Sequence, residues 1–224
     1  MAIPAIEPYD LPGPDELPDA VPTWTPDPRR AVVVVHDMQR YFVDFFDTAK
    51  PPMAPLVDNI GALLGVARQL GVPVLFTGQP GGMTRQERGL LHDVWGAGMS
   101  TDPAQRAIIP ALAPEADEPV ITRWRYSAFA RTDLEDRIRE GGRDQLILCG
   151  IYAHVGCLTT ATDAFGRDIE TFLVADGVAD FTRADHLMAL RYAARNCAVV
   201  RTTADLCASL TAAARMVAVR PGDQ

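Results

Sequence analysis

The sequence lacks several features that would each fix a class of protein. Its 224 residues carry a net charge of −8, with 21 basic residues against 29 acidic ones. Binding to nucleic acid or to an anionic membrane calls for a basic surface, so we expect neither partner. No apolar run approaches the roughly 18 residues that cross a bilayer. The start of the chain also lacks the basic and apolar regions of a signal peptide, which predicts a cytoplasmic protein.

Cysteine and lysine are scarce. The four cysteines show neither CxxC nor Cys/His spacing, so neither a metal site nor a disulfide framework is indicated, and the sequence gives no sign of a cofactor. Lys50 is the only lysine, and the other basic residues are arginines. The composition has therefore drifted from lysine to arginine.

The sequence does contain an alternation of strand and helix patterns. Strands are predicted at Ala31–Val35, Val72–Phe76, Pro119–Thr122, Gln145–Cys149, Thr171–Val174 and Ala198–Val200. Helices are predicted at Leu56–Leu70, from a Thr132/Glu135 capping box to Glu140, from Gly156 onward, from a Thr182/Asp185 N-cap to Asn196, and at Thr203–Met216. Such alternation favours a three-layer αβα sandwich with a central, mostly parallel sheet. We expect a single domain over 1–224, with the proline-rich residues 1–30 as an extended arm packed on its surface.

The carboxyl edge of this sheet is the expected site. Asp37 follows the first strand, the segment Arg123–Tyr126 follows a second, and the turn Ile151–Val155 joins a third to the helix that begins at Gly156. Parallel strands end at the same edge, where open α/β sheets bind their ligands. The pattern thus predicts that these three segments converge.

Several long motifs in this chain resemble those of the isochorismatase family. They are HDMQRYF, TGQPGGMTRQERGLLHDVWG, RWRYSAF, GIYAHVGCLTTATDAF and VADGVADFTRADH. The resemblance spans nearly the whole chain and is closest to the stand-alone hydrolases of phenazine-type pathways and the isochorismatase domain of siderophore synthesis. It implies a cysteine-hydrolase fold with Rossmann-like topology, a homodimer, and a non-proline cis peptide, which we place at Ile151–Tyr152. We find no carrier-protein module after residue 216 and expect a free-standing enzyme.

The resemblance also implies a reaction. Isochorismatases hydrolyse the enolpyruvyl vinyl ether of isochorismate, and the 2-amino-2-deoxyisochorismate analogue is an equal candidate here. Amidase members of the fold use an Asp-Lys-Cys trio, but Gly156 takes the nucleophile's place and Cys157 lies one residue late. Asp37 is implied as a general acid without a covalent intermediate. For Asp37 to be protonated at neutral pH its pKa must rise, which we expect from burial beside a bound apolar ring and an anionic substrate. The implied substrate-binding groups are Gln79, Arg88, Tyr152 and the backbone of Gly156, with Tyr41, Phe42, Trp95 and Tyr126 as walls for the ring.

One position departs from the family. Arg123 stands where the family has lysine. A guanidinium cannot exchange a proton and favours a carboxylate beside it, so we expect lowered activity, an acid-shifted pH optimum or altered substrate choice, with activity retained because the acid remains.

Two other functions stay open. One is a thiol amidase of the nicotinamidase type using Cys157, and the other is a non-catalytic docking protein. A small buried cysteine at a helix start is the simpler interpretation of Cys157, and satisfied structural histidines are the simpler interpretation of His36 and His154.

Overall fold

A computed structural model describes residues 3–218, and its centre is a six-stranded sheet. Every pairing is parallel, and the strand order is β3-β2-β1-β4-β5-β6. The strands are β1 (Ala31–His36), β2 (Val74–Gly78), β3 (Val120–Thr122), β4 (Gln145–Ile151), β5 (Glu170–Ala179) and β6 (Ala198–Arg201). The helices are α1 (Arg40–Val43), α2 (Met53–Gln69), α3 (Arg85–Arg88), α4 (Leu91–Trp95), α5 (Pro103–Arg106), α6 (Leu134–Glu140), α7 (Leu158–Phe165), α8 (Arg183–Asn196) and α9 (Thr203–Ala218). The predicted αβα sandwich is confirmed.

The composition of β1 follows from burial on both faces. Its valine side chains alternate between two apolar cores, Val33 and Val35 toward one and Val32 and Val34 toward the other. A strand covered on both sides has no polar face to expose, which is why its sequence is continuously apolar. Helices α2 and α9 contribute to the first core, and α6, α7 and α8 to the second. Within residues 3–218 no helix combines the length and apolarity needed to cross a membrane.

The strand order reverses direction between β1 and β4. Strands β2 and β3 lie to one side of this central pair, and β5 and β6 to the other. The connections that leave β1 and β4 therefore diverge and open a crevice at the carboxyl edge. Asp37 comes directly after β1, and Tyr152 directly after β4.

The proline-rich arm is packed, as predicted. The Ile6 N–H donates to the Phe45 carbonyl at 2.8 Å. The Tyr9 hydroxyl accepts the Asp180 N–H at 2.7 Å and lies 3.3 Å from Nδ1 of His186. Since Nε2 of His186 is 2.9 Å from the Ala175 carbonyl, its hydrogen belongs there, and Nδ1 accepts from Tyr9. The arm is therefore joined to the segment that follows β5.

The start of α6 differs from the prediction. The Thr132/Glu135 capping box does not form: Asp133 is the N-cap residue and its side chain makes no capping bond, while Thr132 Oγ1 accepts the Leu134 N–H at 3.3 Å. The Glu135 carboxylate instead pairs with Arg167. A competing ion pair thus overrides the local pattern. The Thr182/Asp185 cap of α8 is confirmed, with the Asp185 N–H donating to Thr182 Oγ1 at 3.1 Å.

Other boundaries also differ. Strand β2 begins and ends two residues later than predicted because its carboxyl end pairs with β3, Gly78 beside Thr122. The segment after β4 is not a simple turn: β4 continues to Ile151, and a π-helical turn, Ala153–Cys157, leads into α7. The short helices α1, α3, α4 and α5 were not predicted, since four or five residues carry no measurable periodicity.

We predict that Tyr9→Phe lowers the free energy of unfolding. The change removes the acceptor of the backbone N–H of Asp180, which is fully buried. An unpaired buried donor costs about 1–3 kcal/mol. Denaturant unfolding monitored by circular dichroism measures the change. The matched control is Tyr192→Phe, because Tyr192 is 46% exposed. Equal stabilities of the two variants would contradict the importance of the arm's hydroxyl.

Candidate active site

A cavity of about 50 Å³ lies at the carboxyl edge of the sheet. It is lined by all the residues singled out from the sequence: Asp37, Arg123, Gly156, Gln79, Arg88, Tyr152, Tyr41, Phe42, Trp95 and Tyr126. Sequence reasoning did not assign the remaining lining residues, which are Ile3, His36, Leu91, Ile151, Val155 and Phe181. The predicted convergence of separate strand ends is therefore observed.

Asp37 is held by two neighbouring strand ends. Its φ of 52° is in the left-handed region, which Asp tolerates better than most residues. Thr77 of β2 donates from Oγ1 to Oδ1 of Asp37 at 2.7 Å, and the same hydroxyl accepts the Asp37 N–H at 3.2 Å. Arg123, after β3, donates from Nε to Oδ2 at 2.7 Å, and its Nη2 contacts the same oxygen. Both members of this ion pair are buried.

The electrostatics of this pair favour the carboxylate. Burial alone would raise the pKa of Asp37, but the Arg123 charge, the His36 ring and the hydrogen bonds from Arg123 and Thr77 together hold it below its usual value. The protein alone therefore lacks the raised pKa that a general acid needs, and the expectation for Asp37 beside a bound anionic substrate stays a prediction. The Arg123 guanidinium lies against the carboxylate, and its effect on activity also stays a prediction.

Arg88 is a second buried cation in the cavity lining, besides Arg123. It is 5% exposed, and burial lowers its pKa. Its Nε donates to the Gly96 carbonyl at 2.6 Å, and its Nη1 to Oε1 of Gln79 at 3.2 Å. Within the described residues no carboxylate lies at salt-bridge distance from it. A desolvated charge without a counter-ion is costly, so the arrangement suits an anionic ligand.

The Arg88 side chain is also shaped by its surroundings. Gly98 has a φ of 75°, and a Cβ atom there would lie 2.4 Å from Cζ of Arg88. The guanidinium thus occupies space that only glycine leaves open. The sequence showed Arg88 and the glycines but not their contact.

Tyr152 and Gly156 differ from their expected roles. The peptide Ile151–Tyr152 is cis, as the resemblance implied. However, the Tyr152 hydroxyl donates to the Phe42 carbonyl at 2.9 Å, and the Gly156 N–H donates to the Tyr152 carbonyl at 3.0 Å. These are the groups expected to bind substrate, and both already have partners within the chain. Tyr152 instead contributes its ring, 4.4 Å between centroids from Phe181.

The expected aromatic walls are present. Trp95 donates its Nε1–H to the Tyr126 hydroxyl at 2.7 Å, which ties α4 to the segment after β3. Tyr41 packs edge-on against Phe42 with centroids 5.0 Å apart. Phe181 was missed: it lies 5.8 Å from Trp95 and follows β5 in the motif VADGVADFTRADH. Its position just after a strand end was the available signal.

The cavity presents no thiol. A Cβ atom on Gly156 would lie 2.3 Å from Cε1 of His36, so the imidazole fills the space of a side chain at 156. Cys157 is fully buried, does not line the cavity, and has its pKa raised well above the usual value by burial. Over residues 3–218, no group of three or more His, Cys, Asp or Glu side chains is placed to hold a metal ion.

Comparison with known proteins gives a consistent picture. Residues 31–205 match the family model described as isochorismatase domain. The chain is 51% identical over 206 residues to an isochorismatase of Bacillus subtilis, a match covering 92% of this chain and 66% of that protein. It is 50% identical over 201 residues to the phenazine biosynthesis protein PhzD1 of Pseudomonas aeruginosa, covering 90% of this chain and 96% of that one.

A solved structure agrees with the fold. The crystal structure of a cysteine hydrolase from Pseudomonas syringae pv. phaseolicola 1448A superimposes with a TM-score of 0.78 at 26% identity, over 88% of this chain and 98% of that one. The sequence matches span two thirds or more of the chain and of the phenazine-pathway relative. The chain therefore belongs to the isochorismatase family.

Proposed function

We propose that this protein hydrolyses the enolpyruvyl vinyl ether of isochorismate or of 2-amino-2-deoxyisochorismate, releasing pyruvate. The observation that carries the proposal is a single cavity that joins a buried acid, Asp37, to a buried cation without a counter-ion, Arg88, and that has no cysteine in its lining. Relatives about half identical to this chain are named isochorismatase and phenazine biosynthesis protein. Both lines of support point to a small anionic substrate.

The chemistry divides between the residues as follows. A vinyl ether hydrolyses when its terminal methylene carbon takes up a proton, and the resulting oxocarbenium ion adds water. The added water gives up one proton, and the C–O bond to the ring oxygen of the hemiketal then breaks. The ring leaves as an alcohol, a dihydro-hydroxybenzoate or dihydro-anthranilate product, and pyruvate is released. Asp37 donates the proton, and Arg88 with Gln79 binds a substrate carboxylate through charge-assisted hydrogen bonds. The aromatic side chains around Tyr126 and Phe181 enclose the ring.

To act as a general acid Asp37 must be protonated, but its ion pair with Arg123 favours the carboxylate. An anionic substrate next to the carboxylate opposes ionisation, since like charges raise a carboxyl pKa. Substrate binding therefore increases the fraction of protonated Asp37. The ion pair with Arg123 limits how large that fraction becomes. The thiol alternative fits less well because Cys157 lies outside the lining and its thiol is fully buried.

The resemblance supports the assembly, and the net charge of −8 supports the absence of nucleic acid among the partners. We propose a homodimer in the cytoplasm that binds no nucleic acid. Light scattering of the purified protein measures the mass and tests the dimer.

We predict that Asp37→Asn lowers pyruvate release about 10²–10⁴-fold, the usual contribution of a general acid. Asparagine tolerates the left-handed backbone at this position. The assay follows pyruvate by a coupled reaction with isochorismate and with its amino analogue. The matched control is Asp168→Asn, because Asp168 is exposed and has a similar φ of 56°. No pyruvate from either substrate with the unaltered protein would refute the proposal.

Arg88→Gln is expected to raise KM about 10- to 100-fold with little change in kcat, because it removes charged hydrogen bonds worth about 1.5–3 kcal/mol. Initial rates over a range of isochorismate concentrations separate the two constants. Arg85→Gln is the control on the same helix: Arg85 is exposed and pairs with Asp93. An unchanged KM in Arg88→Gln would exclude Arg88 as the anion-binding group.

Arg123→Lys is expected to increase kcat several-fold above neutral pH. The fork from Nε and Nη2 to one oxygen of Asp37 is replaced by a single ammonium, so the carboxylate is favoured less. The alkaline limb of the pH–rate profile should therefore move to higher pH. Arg125→Lys is the control, since Arg125 donates to the Glu87 and Trp124 carbonyls. An alkaline limb at the same pH in both variants would contradict the effect.

A further inference from the structure

Asp180 is a buried carboxylate that the proposed reaction does not use. It follows β5 directly and has no exposed surface. Its Oδ2 accepts the His154 backbone N–H at 2.6 Å, and its Oδ1 accepts the Phe181 backbone N–H at 2.8 Å. Oδ1 also lies 2.7 Å from Nδ1 of His154. One carboxylate thus joins the π-helical turn after β4 to the segment after β5.

Both joined segments line the cavity. The turn carries Val155 and Gly156 directly after His154, and the other segment carries Phe181 directly after Asp180. The His154 ring meets the Phe181 ring edge-on at 5.5 Å. A change at the carboxylate would therefore move two parts of the wall at once, and Tyr9 of the arm holds the Asp180 backbone from the other side.

We propose that His154 and Asp180 form a positioning pair that fixes this part of the cavity wall, and that protonation of His154 determines how tightly the wall is held. Within residues 3–218, His154 is the only basic side chain at salt-bridge distance from Asp180. The functional consequence rests on the proposed activity, because the wall is the one that encloses the substrate ring. Neither residue touches the reacting atoms.

The charges around His154 give the direction of the effect. The hydrogen bond to Asp180 raises the pKa of His154 above its usual value, burial opposes the rise, and the charges of Asp180 and of Asp185 on α8 add to it. The attraction between protonated His154 and Asp180 therefore stabilises the wall fully below about pH 6.5. This stabilisation is lost as the pH rises through the raised pKa of His154. The neutral ring still donates its Nδ1–H to the carboxylate, because a carboxylate can only accept.

The test variant is His154→Asn. Its Nδ2 replaces the Nδ1 donor, but it carries no charge at any pH. Amide hydrogen exchange at residues 154 and 181 reports the two backbone bonds to Asp180, and KM and kcat for isochorismate report the cavity. At about pH 6 we expect several-fold lower protection at both amides and a several-fold higher KM than in the unaltered protein, with kcat nearly unchanged. At a pH well above the raised pKa, where His154 of the unaltered protein is neutral, both differences should shrink.

The control variant is His92→Asn. Its side chain is 33% exposed against 27% for His154 and lies 4.0 Å from Asp93, so it removes a comparable histidine. Differences from the unaltered protein that do not depend on pH would overturn the role of protonation. Altered protection with an unchanged KM would overturn the positioning role. Failure of the proposed activity is recognised separately, because the unaltered protein would then release no pyruvate while the exchange measurement still decides whether the pair holds the wall.

Discussion

The buried ion pair between Asp37 and Arg123 is the interaction on which the cavity depends. Two ions are withdrawn from water here, a cost that is offset only when geometry is good and the remaining atoms are hydrogen-bonded. The pair meets this condition, since Thr77 holds the second carboxylate oxygen and Arg123 Nη1 reaches the Arg125 carbonyl. Because Asp37 follows β1, Thr77 lies in β2 and Arg123 follows β3, this arrangement forms only when the three strands are in register. The strand register that defines the fold therefore also positions the groups that set the pKa of Asp37.

The sheet topology explains why such a pair lies in a cavity and not in the core. At the reversal between β1 and β4 the connections diverge, so the ends of these strands are covered by side chains instead of by a helix. Cations without counter-ions and carboxylates can be retained there at the edge of the apolar layers. Arg88, from the short helix α3, uses this location, and its hydrogen bonds to the Gly96 carbonyl and to Gln79 hold the guanidinium.

Much of the fold could be predicted from the sequence because its strands are continuously apolar and its longer helices periodic. The valines of β1 and the Thr182 cap of α8 are local signals that survive in the folded protein. The α6 cap failed since Glu135 found a partner in Arg167, which is remote in sequence. The short helices near the cavity were not predicted because they are too short to show a helical period of apolar residues.

The site could be predicted as a set of residues but not as a set of contacts. Strand ends and the family resemblance singled out residues that lie around one cavity in the structure. They could not show that the Tyr152 hydroxyl donates to the Phe42 carbonyl or that Arg123 Nε donates to Asp37, since both depend on distances across the sheet. Phe181 was overlooked because the sequence motif does not show which residues its aromatic ring contacts.

The contact between His36 and Gly156 has a consequence for altering this cavity by design. Because a Cβ atom at 156 would lie 2.3 Å from Cε1 of the imidazole, a nucleophilic side chain fits at 156 only when the His36 ring is moved or replaced. A variant that introduces a cysteine at this position therefore has to change both residues together.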